Sequence, residues 1–179
     1  MTPAEKRLHL TLKESERRKH PNYPEHLSMP IKIPGKLDTA NGMTKAVVYF
    51  IKAHNLNAER VNTMGIPVDD RKVVTDTVGF QRMIGSIGYR PTTARKGSAD
   101  IHASIPLIGS NGFAVSCKFE IKTVHDRVSP DQVSYGEEVK RSGGVYVVIR
   151  SFEQFLEWWD GNVDMERIDF ISTKQEDNK

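Results

Sequence analysis

The 179-residue chain has a single cysteine, Cys117, in a strand-like apolar stretch. It can form no internal disulfide, which agrees with a reducing compartment. No apolar run approaches the roughly 20 residues that cross a bilayer, so no membrane partner is expected. The opening MTPAEKRLHLTLKESERRKH lacks the apolar stretch of a signal peptide. The expectation is therefore a cytoplasmic, non-secreted protein. No internal repeat is visible.

What is present is the composition of a soluble globular domain. Hydrophobic residues make up 37% and charged residues 27%, with a mean hydropathy of −0.50, which argues against wholesale disorder. The length suits one core better than two. A net charge of +3 says little by itself. Its distribution says more, because residues 60–98 hold Arg60, Arg71, Lys72, Arg82, Arg90, Arg95 and Lys96 against only Asp69, Asp70 and Asp76. Such a stretch suits either contact with a phosphate backbone or a solvated irregular surface.

Residues 1–37, with prolines at 21, 24, 30 and 34, read as an extended arm with a short helix near 3–19. A single domain is expected over 38–172, with a basic insert at about 66–97 and a polar tail at 173–179. Met43, Val47, Phe50, Ile51 and His54 fall at helical spacing after caps at 38–41. NAERVNTMG reads as a short strand ending at Gly65. The insert holds β-leaning pieces broken by Gly79, Gly85 and Gly88. SADIHASIPLI and FAVSCKFEIKT are two strands joined by the turn GSNG. Ser129, Pro130 and Gln132 form a capping box that opens a helix closed by Gly143 and Gly144. VYVVI reads as a strand buried on both faces. SFEQFLEWW repeats the capping box with Ser151 and Gln154 and stops at Gly161, and MERIDFIS reads as an edge strand. The strand, helix, strand order near the end implies a right-handed crossover in a mixed sheet, an α/β (α+β) class.

FEIKT, residues 119–123, places an acid and a base two positions apart. Strand side chains alternate, so Glu120 and Lys122 share one face while Phe119 and Ile121 take the other. Asp100, His102 and Ser104 share a face on the preceding strand. Asp100 joins the Glu120 face only if paired residue numbers sum to 220 or 222, which requires an odd-numbered connection or a bulge. Asp100, Glu120 and Lys122 then converge within about 5–8 Å. Two carboxylates that close call for a cation between them: Lys122 itself, or a divalent metal. An all-oxygen set suits Mg²⁺ and not zinc, which prefers Cys and His. The same spacing also fits an ordinary ion-pair ladder on a solvated sheet.

Gly97-Ser98-Ala99-Asp100, then Glu120-Ile121-Lys122, then Gln132 together resemble the PD-(D/E)XK nuclease superfamily, and within it the VRR-NUC branch. Arg60-Val61-Asn62 matches that branch's "RxN" strand, and Gly143 to Val148 its Gly-led apolar strand. The similarity spans about residues 41–160. It implies a restriction-endonuclease-like αβββαβ core flanked by helices. It also implies Asp100 and Glu120 as Mg²⁺ ligands (Mn²⁺ also accepted), with the Ile121 carbonyl assisting. Lys122 would be the catalytic lysine and Gln132 would sit at the site edge. Ala99 replaces the usual proline, and the first helix offers Asn41 and Thr44 where many relatives carry an acid. The insert exceeds the branch minimum. Standalone proteins of this kind often act as homodimers on branched DNA, so the implied activity is a structure-specific endonuclease, Holliday junction resolvase-like, in phage or mobile-element DNA. The alternatives are a restriction or repair nickase, a catalytically silent DNA-binding module, and an interaction protein whose ion ladder is structural. Arg60 and Asn62 are expected phosphate contacts, with Arg71, Lys72, Arg82, Arg90, Arg95 and Lys96 as further nucleic-acid-binding residues. His102 and His125 with Asp126 read as a strand-surface residue and a solvated loop. Trp158 and Trp159 read as core packing or a dimer face.

Overall fold

A computed structural model describes residues 1–24, 31–33, 35–61, 66–90 and 95–169. Its helices are α1 (Pro3–Lys19), α2 (Ala40–Ala53), α3 (Pro130–Arg141) and α4 (Phe152–Asn162). Its strands are β1 (Asn57–Arg60), β2 (Ile66–Asp69), β3 (Lys72–Thr75), β4 (Gln81–Ile84), β5 (Ile87–Arg90), β6 (Ile101–Pro106), β7 (Ala114–Ile121) and β8 (Val145–Ile149). The fold is mixed α and β, with a four-stranded mixed sheet in the order β1-β6-β7-β8 flanked by helices. The first two pairings are antiparallel and the β7–β8 pairing is parallel. The parallel pair needs the crossover that α3 supplies.

The odd-numbered side chains of β6 and β7 build the core. Ile101, Ile105, Cys117 and Phe119 are fully buried against α2 and α4. Phe50, Phe119, Phe152, Phe155 and Trp159 meet there mostly edge to face. Burial pushes the Cys117 thiol up to about 12, so it stays neutral and packs as a small apolar side chain. The other face of the sheet carries His102, Lys118 and Tyr146, and α3 lies across it.

Several expectations change. The helix expected near 3–19 is present as Pro3–Lys19, with a Thr2/Glu5 capping box, but it is docked on the domain and not part of an extended arm. It buries Ala4 and Leu8 against the core, and its Arg7 pairs with Asp160 of α4 at 2.6 Å. A polar helix with few apolar positions looks like an arm until its narrow stripe finds a partner. Leu8→Ala is expected to cost about 2–4 kcal/mol in urea unfolding, where a free arm would lose nothing. Among the described residues VYVVI is a sheet edge bonded only to β7, and just Ile149 of its residues is fully buried. Gly161 lies inside α4, whose cap is Val163. Residues 165–169 are helical and not a strand, because the Asp164 carboxylate accepts from the Arg167 amide at 3.0 Å and starts a helical turn. The rest of the expected edge strand, and the tail, lie outside the described residues, as do Asn62 and Gly65.

The insert is a long β-ribbon. β2 pairs with β5 and β3 with β4, in one shared register. The ribbon turns at Asp76, whose backbone amide bonds Phe80 and whose carboxylate accepts from the amides of Val78 and Phe80.

Candidate functional site

The pairing of β6 with β7 matches Ile101 to Phe119 and Pro106 to Ala114, so residue numbers sum to 220. The odd-numbered connection 107–113 enforces that register, with Gly109, Asn111 and Gly112 all in the left-handed region. Asp100, immediately before β6, is thereby set beside the end of β7. One of its oxygens, Oδ2, accepts from the Ile121 amide at 2.9 Å. A residue in an extended strand sends its N–H and C=O to the same edge, so the Ile121 carbonyl faces the Asp100 side too. Three residues before Asp100, the left-handed backbone of Gly97 sits so close to Asp131 of α3 that an added Cβ would lie 2.5 Å from the Asp131 carbonyl.

Glu120 is only 2% exposed, although it points to the face away from the apolar core. Its Oε1 accepts from Lys122 Nζ at 3.0 Å and from Gln132 Nε2 at 2.5 Å. Its Oε2 is buried and has no hydrogen-bond partner among the described residues. Burial pushes the carboxyl up to about 7, Lys122 pulls it back, and the neighbouring Asp100 charge adds to the rise. The Lys122 side chain is 14% exposed, so this ion pair is largely withdrawn from water.

Gln132 performs two tasks at once. Its Oε1 accepts from the Ser129 amide at 2.9 Å, completing the capping box, and its Nε2 holds Glu120. The corresponding glutamine of α4 serves differently: Gln154 accepts from the Arg150 amide instead of from its own N-cap.

Tyr146 was not anticipated as part of this cluster. It pairs with Lys118 on the same face of the sheet, and burial, Glu120 and Asp100 all raise its pKa. Its hydroxyl is buried and has no hydrogen-bond partner among the described residues. The ring is trapped under α3 at Gly136, where an added Cβ would lie 2.8 Å from it. The signal available in the sequence was one polar atom in an otherwise apolar strand, at even spacing from the Gly-led turn.

The donor set suits a hard divalent cation. Asp100, Glu120 and the Ile121 carbonyl offer oxygen only, and the unsatisfied Glu120 Oε2 lacks the positive partner that such an ion would be. Among the described residues no cluster of three or more His, Cys, Asp or Glu side chains is present, so water or substrate oxygens would complete the shell. Neither helix position noted above adds to the set. Asn41 accepts from Arg60 at 2.6 Å, and the buried Thr44 hydroxyl bonds the Ala40 carbonyl.

The expected basic contacts are mostly neutralised within the chain. Arg71 pairs with Asp69, Arg82 with Asp76, Arg95 with Glu138 and Lys96 with Asp131. Arg60 is exposed near the site. Lys72 and Arg90 are exposed on the ribbon. His102 faces Tyr135, with Nε2 at 3.3 Å from the hydroxyl. His125 is exposed in a loop where Asp126 accepts from Thr123. Trp159 is fully buried. No family model matches the chain, and neither does any curated protein or solved structure.

Proposed function

We propose that the protein is a Mg²⁺-dependent endonuclease that hydrolyses DNA phosphodiesters, with Asp100, Glu120 and the Ile121 carbonyl as the metal-holding oxygens. The observation that carries this reading is Glu120, a buried carboxylate with one oxygen left unsatisfied beside a second carboxylate and a withdrawn lysine. A buried acid with a raised pKa is costly to keep ionised, and such costs concentrate at functional sites. Magnesium or manganese, when bound, supplies a Lewis acid and lowers the pKa of a coordinated water. Lys122 places a positive charge where negative charge grows on the scissile phosphate, and Gln132 holds Glu120 in its rotamer. The Tyr146 hydroxyl, buried and without a hydrogen-bond partner among the described residues, lies beside the same pair of acids.

The test incubates the protein with linear, single-stranded and four-way DNA in Mg²⁺, Mn²⁺ or chelator. Cutting that needs the metal and is lost in Asp100→Asn is the expected result, and the preferred substrate distinguishes a junction-specific enzyme from a nickase. DNA affinity unaffected by chelator, with no cutting of any substrate, identifies a binding module instead. Tyr146→Phe is expected to melt no lower than the wild type, because it removes a buried unsatisfied hydroxyl, and to cut about 10-fold more slowly. Unchanged cutting in that variant assigns the tyrosine to packing alone.

A further inference from the structure

Lys118 takes no part in the acid cluster. It sits on the α3-facing side of β7, between His102 of β6 and Tyr146 of β8 in one cross-strand row. Burial lowers the pKa of its amine, and no carboxylate among the described residues offsets that. The nearby acids are engaged elsewhere. Glu120, two residues along the strand, is held by Lys122 and Gln132, and Glu138 of α3 is held by Arg95 at 2.5 Å. Glu59, in the same row, lies two strands away opposite His102. A half-withdrawn amine with no acid beside it leaves a positive charge for an anion to meet.

Lys118 lines a cavity of about 200 Å³ between β7 and α3, together with Ser116, Tyr135, Glu138, Ser142 and Gly144. Pockets that enclose a drug-sized ligand run to roughly 300–1,000 Å³, so this space suits a single functional group. The Ser116 hydroxyl has no hydrogen-bond partner among the described residues. The Tyr135 hydroxyl lies 3.3 Å from His102 Nε2, and with the proton on Nε2 it accepts there and keeps its own O–H for a ligand. The Ser142 hydroxyl already donates to the Glu138 carbonyl at 2.9 Å. An ammonium with separate hydroxyls around it matches an anion that accepts on several oxygens in three dimensions, which is a phosphoryl group. A planar carboxylate is matched by a guanidinium fork, and the one at this wall, Arg95, is committed to Glu138.

We infer that the cavity between β7 and α3 is a phosphoryl-binding site, with Lys118 as its cation and the Ser116 and Tyr135 hydroxyls as its neutral donors. Two residues along β7 span about 6.6 Å, so the site lies beside the acid cluster without sharing a side chain with it. The inference does not depend on cleavage. It is tested by following backbone amide shifts of the isotope-labelled full chain, in chelator, as inorganic phosphate is added. Saturable shifts at Ser116, Lys118 and Gly144 are expected, with an affinity at least about 10-fold lower in Lys118→Met. Ser116→Ala/Tyr135→Phe, which keeps the amine, is expected to bind phosphate about 5-fold more weakly. Shifts scattered over exposed lysines overturn the inference, as does an affinity that Lys118→Met leaves unchanged, or acetate that binds as tightly as phosphate. Single-stranded DNA with and without a terminal phosphate then identifies the source of the group. Binding tighter than that of inorganic phosphate, and weakened by Lys118→Met, assigns it to a nucleic-acid strand. Binding no tighter, or unmoved by Lys118→Met, assigns it to a small phosphate ester. Chelator keeps metal chemistry out of each reading, so failure here is distinct from failure to cut DNA.

Discussion

Glu120→Gln is expected to raise the melting temperature at pH 8 by about 4–8 °C while abolishing metal-dependent cleavage. The carboxyl is 2% exposed and titrates near 7 in the folded chain, against 4.5 for the free group. An acid whose folded pKa is raised holds its proton more tightly in the native state than in the unfolded one. The stability that this group contributes is therefore greatest below about 4.5, falls as pH rises towards 7, and stays low above it. The penalty at pH 8 is on the order of 3 kcal/mol, part of which Lys122 loses again when its partner becomes neutral. Glutamine keeps the shape without the charge, so the gain disappears when both proteins are melted at pH 4.5. Magnesium is expected to stabilise the wild type at pH 8, to do so less as protons compete below pH 7, and to leave the glutamine variant unmoved. Were the variant to melt lower than the wild type at pH 8, the carboxylate would be a net stabiliser and the cluster a structural ion pair.

Local chemistry made much of this site legible in advance. Alternation alone puts Glu120 and Lys122 on one face, and parity alone makes Asp100 their neighbour only if the connection is odd, as it is. Ser129 and Gln132 announce the helix that brings a glutamine to Glu120, although a capping box gives no hint that the same side chain donates elsewhere. The failures are non-local. Whether VYVVI is central or at an edge depends on what pairs beyond it. The docking of α1 rests on Leu8 finding the core, which no window of sequence contains. The ribbon resisted reading because both of its faces are exposed, so no burial pattern imposes a period. Residues 165–169, expected as the start of an edge strand, are helical because Asp164, acting as a cap, decides the backbone there.

Lys122→Met separates the chemistry of the amine from its electrostatic service to Glu120. Cleavage is expected to fall by at least about 100-fold, since the charge that offsets the phosphate is gone. Stability should respond as well. The lysine amine, 3.0 Å from Glu120 Oε1, is the one cation paired with that carboxylate among the described residues. Removing it leaves a buried charge supported only by Gln132, a loss of roughly 3–5 kcal/mol at pH 8. With the lysine gone the carboxyl moves further up, so Glu120 is protonated at pH 5.5 and most of the loss is recovered there. Urea unfolding at the two pH values reads this directly. Adding Glu120→Gln to Lys122→Met removes the stranded charge, so the double variant is expected to be more stable at pH 8 than Lys122→Met alone. That non-additivity measures the coupling of the pair. Lys122→Met with pH-independent stability but no cleavage would place the amine's work on DNA rather than on Glu120. Metal-dependent cutting at the wild-type rate would strip Lys122 of its role and leave the two carboxylates as the whole site.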